Sequence, residues 1–209
     1  MTSVPRSDTD VGSVRELVRR RVDPLSDLAD HAGDVARACY AMARRFHSGG
    51  KLVVFGNGGP STDAQHVAVE FVHPVIVGKR ALPAISLTAD VATLTGIAAR
   101  VGFAETFAHQ IRFLAEPADI ALGLSSDGHC VNVLRGLEAA RERGLLTIAL
   151  TGGDGGPIAA SPAVDHSIVA RSTDPRVVKE VHVTTYHVLW ELVHVFFEQP
   201  GVLEPGVVS

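Results

Sequence analysis

The stretch "VVFGNGGPSTDAQHVAVE", residues 53–70, decides the fold, because an apolar run passes through a glycine-rich turn into a helical pattern. Strand, tight turn and helix in this order form the repeating unit of a parallel α/β sheet. Further apolar runs alternate with helical patterns, and they are apolar at nearly every position, as strands covered on both faces are. The predicted strands are 52–56, 83–87, 120–125, 147–151 and 167–170, and the helices between them are 62–76, 90–98, 104–115, 130–143 and 155–161.

The two ends of the chain carry helical patterns of their own. Apolar residues recur at three- and four-residue spacing from Val11 to about His47, and Pro24 should break this stretch into two helices. The last predicted helix, 176–198, is the longest and most apolar. We expect tails at 1–10 and 200–209 and one domain over 11–199, since a chain of 209 residues with 46% apolar content builds one good core.

Bulk composition argues against several classes of protein. A net charge of −4 without a concentrated basic surface gives no electrostatic case for a nucleic acid partner. No run of 18 apolar residues predicts a membrane span, and the polar N-terminus lacks the apolar region of a signal peptide. Cys39 and Cys130 have neither metal nor redox spacing. These features predict a cytoplasmic protein without a membrane or nucleic acid partner.

Three loops leave predicted strands with glycine and hydroxyl residues. They read "GNGGPST" (56–62), "SSDGHC" (125–130) and "TGGDGG" (151–156). In a doubly wound sheet, ligands bind beyond the carboxyl ends of the strands, and glycine lets the backbone and the next helix N-terminus approach an anion. Neither the P-loop spacing nor the dinucleotide-binding spacing is present. The loops therefore favour a phosphate or sugar phosphate over a nucleotide.

Histidine and glutamate are the candidate chemical groups. His66 and Glu70 lie at i and i+4 and so project from one helix face, which suits two metal ligands, an acid–base pair or simply a solvent-facing pair. His187 lies within the apolar last helix and needs a polar partner if it is buried. The other histidines have weaker claims, His73 as an extra ligand and His182 and His194 as structural or surface residues.

Longer motifs resemble those of the phosphoheptose isomerases, a family of sugar isomerase (SIS) domain proteins. They are "GNGGPSTDAQHVAVE", "LPAISLTADVATLTGIA", "GFAETFAHQ", "VNVLRGLEAARERGLLTIALTGGDGG" and "KEVHVTTYHVLWELVH", and the likeness runs from about Val11 to Phe197. The resemblance implies a flavodoxin-like, five-stranded parallel sheet flanked by helices, and a homotetramer with active sites between subunits. It also implies interconversion of sedoheptulose 7-phosphate and glycero-manno-heptose 7-phosphate, often with zinc in the site.

By this resemblance, Glu70 is the base that removes the proton next to the carbonyl, and His187 is the acid that passes a proton to the enediol. His66, Glu70 and His187 would hold one zinc ion per subunit. The positions expected to bind the substrate are Asn57, Gly58, Gly59, Ser61, Arg100, Ser125, Ser126, Asp127, His129 and Lys179.

Four positions depart from the family pattern. Pro60 replaces a serine and removes an N–H group, and Asp127 puts a carboxylate where a phosphate should lie. Arg100 ends "AAR" where the family has "GND". Lys179 replaces a glutamine that is a zinc ligand, and an ammonium beside Zn²⁺ is repulsive.

These departures leave two hypotheses open. In the first, the protein is a sugar phosphate isomerase with an altered site, in which Arg100 and His129 bind the anion and Lys179 supplies the positive charge of the metal. In the second, the tetramer is a catalytically inactive scaffold that binds a partner protein. The retained His66, Glu70 and His187 favour the isomerase, whereas the altered phosphate loop favours the scaffold.

Overall fold

A parallel five-stranded sheet forms the centre of the protein. The computed structural model describes residues 8–199 and 201–203. All the strand pairs are parallel, and the strand order is β2-β1-β3-β4-β5. The strands are β1 Leu52–Gly56, β2 Ala84–Ser86, β3 Ile120–Ser125, β4 Leu146–Gly152 and β5 His166–Ala170. The predicted fold class is confirmed, and each of the five predicted strands ends within one residue of its observed bounds.

Helices surround the sheet. They are α1 Asp8–Arg19, α2 Val22–Asp30, α3 Ala32–His47, α4 Gly59–Val72, α5 Val91–Arg100, α6 Thr106–Leu114, α7 Val131–Glu142, α8 Gly156–Ala159 and α9 Pro175–Glu198. A 3₁₀ turn at Phe103–Glu105 precedes α6. Within the described ranges, no helix is both long and apolar enough to cross a membrane.

The N-terminal region contains three helices rather than the two that were predicted. Pro24 is the third residue of α2, in the first turn, where the backbone N–H has no helical partner in any case. The chain breaks instead at Arg20–Arg21 and at His31. Residues 8–10 of the predicted N-terminal tail begin α1, whereas 1–7 lie outside the described residues, as do 200 and 204–209 of the predicted C-terminal tail.

The core has two layers because side chains alternate along each buried strand. In β1, Leu52 and Val54 face the layer that contains α3, α4 and α9. Val53 and Phe55 face the opposite layer, with α6 and α7. Each of these four side chains is fully buried, which contributes about 1.5–3 kcal/mol per large apolar residue. The sheet is therefore covered on both faces, as the continuous apolar runs predicted.

The strand order reverses between β1 and β3, which is where an open α/β sheet forms its ligand crevice. The β1–α4 loop and the β3–α7 loop therefore start side by side. A reciprocal amide pair joins the β1–α4 loop to the first turn of α7: Asn57 Nδ2 donates to Asn132 Oδ1 at 2.7 Å, and Asn132 Nδ2 donates to Asn57 Oδ1 at 3.0 Å. This pair fixes the two sides of the crevice relative to each other.

Candidate active site

Two helices bring His66, Glu70 and His187 together. His66 and Glu70 lie one turn apart on α4, and His187 reaches them from α9. Glu70 Oε1 lies 3.1 Å from His66 Nε2 and 2.9 Å from His187 Nε2. The Glu70 side chain is only 14% exposed, whereas both imidazoles are nearly half exposed. A carboxylate between two imidazoles at the surface of a helix pair is suited to proton transfer or to metal binding.

A buried tyrosine orients His66. The Tyr186 hydroxyl lies 2.8 Å from His66 Nδ1, and burial raises the pKa of Tyr186, so the phenol keeps its proton. The contact suits both tautomers: with the imidazole hydrogen on Nε2 the phenol donates to Nδ1, and with Nε2 free to bind a metal ion Nδ1 donates to the phenol oxygen. Trp190 Nε1 donates to the Glu70 carbonyl at 3.1 Å and ties α4 to α9 at the same level.

The three groups could hold a metal ion. One ligand atom from each of His66, Glu70 and His187 lies within 4.8 Å of the other two. Two imidazole nitrogens and one carboxylate oxygen form a donor set that Zn²⁺ accepts, and three protein ligands with an open position are typical of catalytic zinc. The donor set therefore fits a catalytic zinc site.

Lys179 is directed towards a different group. Its Nζ lies 2.5 Å from Asp63 Oδ1, and it donates to the Gly59 carbonyl at 3.3 Å and to Thr62 Oγ1 at 3.2 Å. Asp63 is only 3% exposed, and its Oδ2 is buried with no hydrogen-bond partner in the described part of the chain. Lys179 therefore neutralises a buried carboxylate near the start of α4. Sequence reasoning missed Asp63, although it lies one turn before His66.

The β1–α4 loop directs its hydroxyl groups inward. Pro60 is buried in the first turn of α4, where it costs the helix nothing. Ser61 donates both its N–H, at 3.0 Å, and its hydroxyl, at 2.6 Å, to the Gly58 carbonyl. The Thr62 hydroxyl donates to the Gly59 carbonyl at 2.7 Å. The positive charge at this loop comes from Lys179, while the substrate-binding role expected of Gly58, Gly59 and Ser61 stays a prediction.

A carboxylate lies within the β3–α7 loop. Asp127 Oδ1 accepts the His129 backbone N–H at 3.0 Å and the Ser125 hydroxyl at 3.2 Å. Ser125 Oγ in turn accepts the Gly128 N–H at 3.0 Å. Asp127 and His129 are exposed, whereas Ser125 is fully buried. Three of the positions expected to bind substrate thus hydrogen-bond to one another.

Two cavities lie along the carboxyl ends of the strands. One of about 200 Å³ is lined by Asn57, Asp63, Lys179 and His182 among others. A larger open cleft of about 1040 Å³ lies between the loops that follow β3, β4 and β5. Both are lined by Ser126 and Pro175, so they are adjacent. They include these expected substrate positions: Asn57, Gly59, Ser126, Asp127, His129 and Lys179.

The remaining candidates lie elsewhere. Arg100 ends α5 and is exposed, and Leu94 of the same helix packs against the layer opposite α4 and α9. Among the described residues, no hydrogen bond or ion pair joins Arg100 to His66, Glu70 or His187. His73 is exposed at the end of α4, outside the metal-binding trio. His182 and His194 are buried and contact backbone carbonyls, at 3.0 Å from Thr151 and 2.9 Å from Arg80, as structural histidines do.

Comparison with known proteins gives the family. The SIS domain model matches residues 19–152, more than half of the chain. The chain is 41% identical over 178 residues to the phosphoheptose isomerase of Solidesulfovibrio magneticus, covering 85% of each. It is 39% identical over 181 residues to that of Aquifex aeolicus, covering 86% of this chain and 94% of the relative. The chain belongs to the phosphoheptose isomerase family.

Two solved structures of phosphoheptose isomerases have the same fold. The phosphoheptose isomerase of Francisella tularensis matches with a TM-score of 0.82 at 28% identity, over 89% of this chain and 98% of that one. The phosphoheptose isomerase of Neisseria gonorrhoeae matches with a TM-score of 0.79 at 29% identity, over 87% and 97%. Family membership confirms the resemblance inferred from the sequence motifs.

Proposed function

We propose that this protein is an aldose–ketose isomerase of the phosphoheptose isomerase type, with sedoheptulose 7-phosphate as the first substrate to test. One observation carries the proposal: a mostly buried Glu70 carboxylate lies within hydrogen-bond distance of two imidazoles from different helices. Isomerisation of this kind needs a base and an acid on either side of one C–C bond. The carboxylate and the imidazoles supply these groups.

In the proposed mechanism, Glu70 removes a proton from C1 of the ketose while His187 gives a proton to the carbonyl oxygen on C2. The resulting enediol then receives the proton on C2 from Glu70. His187 recovers a proton from the C1 hydroxyl, which leaves the aldehyde of the aldose. Tyr186 holds the His66 ring against Glu70 through the 2.8 Å contact, and so keeps the carboxylate in place.

We propose zinc as the metal, held by His66, Glu70 and His187. When bound, it would supply a positive charge that polarises the substrate carbonyl and stabilises the enediolate in place of the His187 proton, because an imidazole nitrogen that ligates zinc carries no hydrogen. Lys179 is engaged with Asp63 and supplies no fourth ligand, so a substrate oxygen or water would have to complete the site. Metal content is measured directly: one zinc per chain in the wild type, and loss of zinc in a His66→Ala variant, are the expected results.

The protein is proposed to assemble as a homotetramer. Support comes from exposed apolar side chains on α1 and at the start of α2, namely Val11, Val14, Leu17, Val18 and Val22. A neighbouring subunit would also bring a second α5, with Arg100, towards the site. Light scattering on a Val14→Glu/Val18→Glu variant tests this, with Arg15→Glu on the same exposed helix as control. Dissociation of the first variant alone is expected, and a wild-type monomer would contradict the proposal.

The decisive experiment measures interconversion of sedoheptulose 7-phosphate and its aldose, with and without added zinc. Glu70→Gln should reduce kcat by about a thousandfold or more, because the amide cannot take a proton. The matched control is Glu191→Gln, the same change at an exposed position of α9. Absence of turnover in folded wild-type protein would refute the isomerase and favour the scaffold. The cytoplasmic location inferred from the sequence stays a prediction.

A further inference from the structure

The β3–α7 loop, Ser125 to Cys130, lies where parallel sheets bind anions. It follows the strand beside the reversal of strand order and leads into a helix of 12 residues. Backbone N–H groups at such a turn and the positive end of the helix dipole attract a negatively charged group. The free N–H groups of such a loop are satisfied by a side chain, by water or by a bound anion.

In this chain the anion is internal. The Asp127 carboxylate already accepts the His129 N–H and the Ser125 hydroxyl through Oδ1, as described above. The His129 imidazole lies 2.7 Å from the Asp127 carbonyl, and since a carbonyl only accepts, Nδ1 carries the hydrogen and donates it. Three donors of the loop are therefore directed at Asp127: the Ser125 hydroxyl, the His129 N–H and the His129 imidazole.

The loop is also locked in this conformation. Gly128 has a φ of +74°, and a Cβ on it would lie 1.9 Å from the Gly155 carbonyl oxygen. The Ile158 N–H donates to the Gly128 carbonyl at 3.2 Å, which joins the loop to α8. This packing and this hydrogen bond hold Gly128 against the start of α8, and so oppose an outward movement of the loop backbone.

The charges around the cleft do not offset this carboxylate. Asp154 is a second acidic residue on its lining, and it accepts the Gly156 N–H at 3.0 Å. Arg171 also lines the cleft, but its guanidinium lies 3.3 Å from Asp27. His129 is directed back at the loop. A phosphate dianion at this position would repel Asp127, whereas a sugar hydroxyl could donate to it.

We propose that Asp127 is a specificity-determining residue: it fills the anion position of the β3–α7 loop, so that this loop accepts a hydroxyl-bearing end of the sugar in preference to a phosphate. The inference rests on the proposed function for its substrate and refines it. Phosphorylated ketoses are accepted, but without the affinity that the loop would give them if its donors were free.

Titration with inorganic phosphate tests the proposal directly. Asp127→Ser frees the donors and should lower the Kd for phosphate by about tenfold or more. Asp127→Asn should lower it less, because the amide oxygen keeps the bond to the His129 N–H while the charge is removed. Asp154→Asn is the matched control, since it removes one charge from a similar turn on the same cleft. Circular dichroism shows that each variant folds.

Two results would overturn the proposal. One is a phosphate Kd in both Asp127 variants that stays within about twofold of the wild-type value. The other is an equal gain in Asp154→Asn, which would mean that net charge and not the loop is responsible.

Kinetics with sedoheptulose and sedoheptulose 7-phosphate separate this inference from the proposed function. Asp127→Ser should lower KM for the phosphorylated sugar by about tenfold and raise KM for the free sugar, whose hydroxyl loses its acceptor. An equal change for both sugars would overturn the role in specificity. If no variant converts either sugar, the isomerase proposal fails, and the phosphate titration still decides the role of Asp127.

Discussion

At the scale of single residues, the chemistry depends on contacts between α4 and α9. The i, i+4 spacing predicts that His66 and Glu70 share a helix face, because that relation is set within one helix. The distance from Glu70 to His187 depends instead on how two helices pack. The same is true of Tyr186 on His66, which no sequence pattern indicated.

Tyr186→Phe should lower kcat by about tenfold, because His66 loses the hydroxyl partner that orients its ring. The phenylalanine ring fits the same buried space, so we expect a cost in stability of only about 1 kcal/mol. Tyr40→Phe is the control, since its hydroxyl contacts the Val202 carbonyl at 3.4 Å, away from the site. Steady-state kinetics and zinc affinity are the measurements. Equal effects of the two variants would show that Tyr186 does not orient His66.

Lys179→Met should reduce the free energy of unfolding by about 3 kcal/mol, because it leaves the buried Asp63 carboxylate without its cation. The double variant Asp63→Asn/Lys179→Met should recover much of this loss, since the uncompensated charge is then gone. Urea unfolding of the wild type and the variants gives the coupling between the two positions. Independent, additive effects would contradict a stabilising pair.

At the scale of elements, strand positions were predictable and helix ends were less so. Apolar runs mark the strands, which are fully buried in β1, β3 and β4 and partly buried at the edges in β2 and β5, and each was found within one residue. The predicted helix at 62–76 instead begins at Gly59, because the first turn accepts Pro60. It ends at Val72, four residues earlier than predicted. The helical pattern before the sheet is broken at positions that Pro24 did not indicate.

Gly128→Ala should destabilise the protein by about 2 kcal/mol or more, because its positive φ and the Gly155 carbonyl both exclude a Cβ. Gly96→Ala is the opposite case: Gly96 lies within α5 with open space around its Cβ position. That variant should gain about 0.5–1 kcal/mol from the better helix propensity of alanine. Thermal unfolding measures both variants, and equal Tm shifts would contradict this account of the loop.

At the scale of the whole molecule, buried histidines make stability depend on pH. Burial lowers the pKa of His182, which is 2% exposed, and also that of His166. The unfolded chain, with histidine pKa values near about 6.5, therefore binds protons that the folded protein does not. The stability that these groups contribute is present above that value and is lost as pH falls below it.

The free energy of unfolding should therefore decrease as the pH falls from about 7.5 to about 5.5, a range that spans the ordinary histidine pKa of about 6.5. His182→Gln should show a shallower decrease, because its amide can still donate to the Thr151 carbonyl but does not titrate. Urea unfolding at several pH values measures this. The carboxyl groups of Asp90, Glu105 and Asp174 also have lowered pKa values, that of Asp174 at about 2, so they titrate at a more acidic pH than the histidines. A flat profile from pH 7.5 to 5.5 would contradict the role of the histidines.

The sequence by itself determined the order of the elements, the parallel sheet, the glycine-rich loops at its carboxyl edge and the shared helix face of His66 and Glu70. These depend on periodicity and turn chemistry, which act over a few residues. The family resemblance implied that His187 joins His66 and Glu70, but only the tertiary structure decided the distance from His187 to Glu70, the pairing of Lys179 with Asp63 and the packing of α5 against the opposite layer through Leu94. Such contacts join residues far apart in the chain, and their distances are set by how helices pack on the sheet.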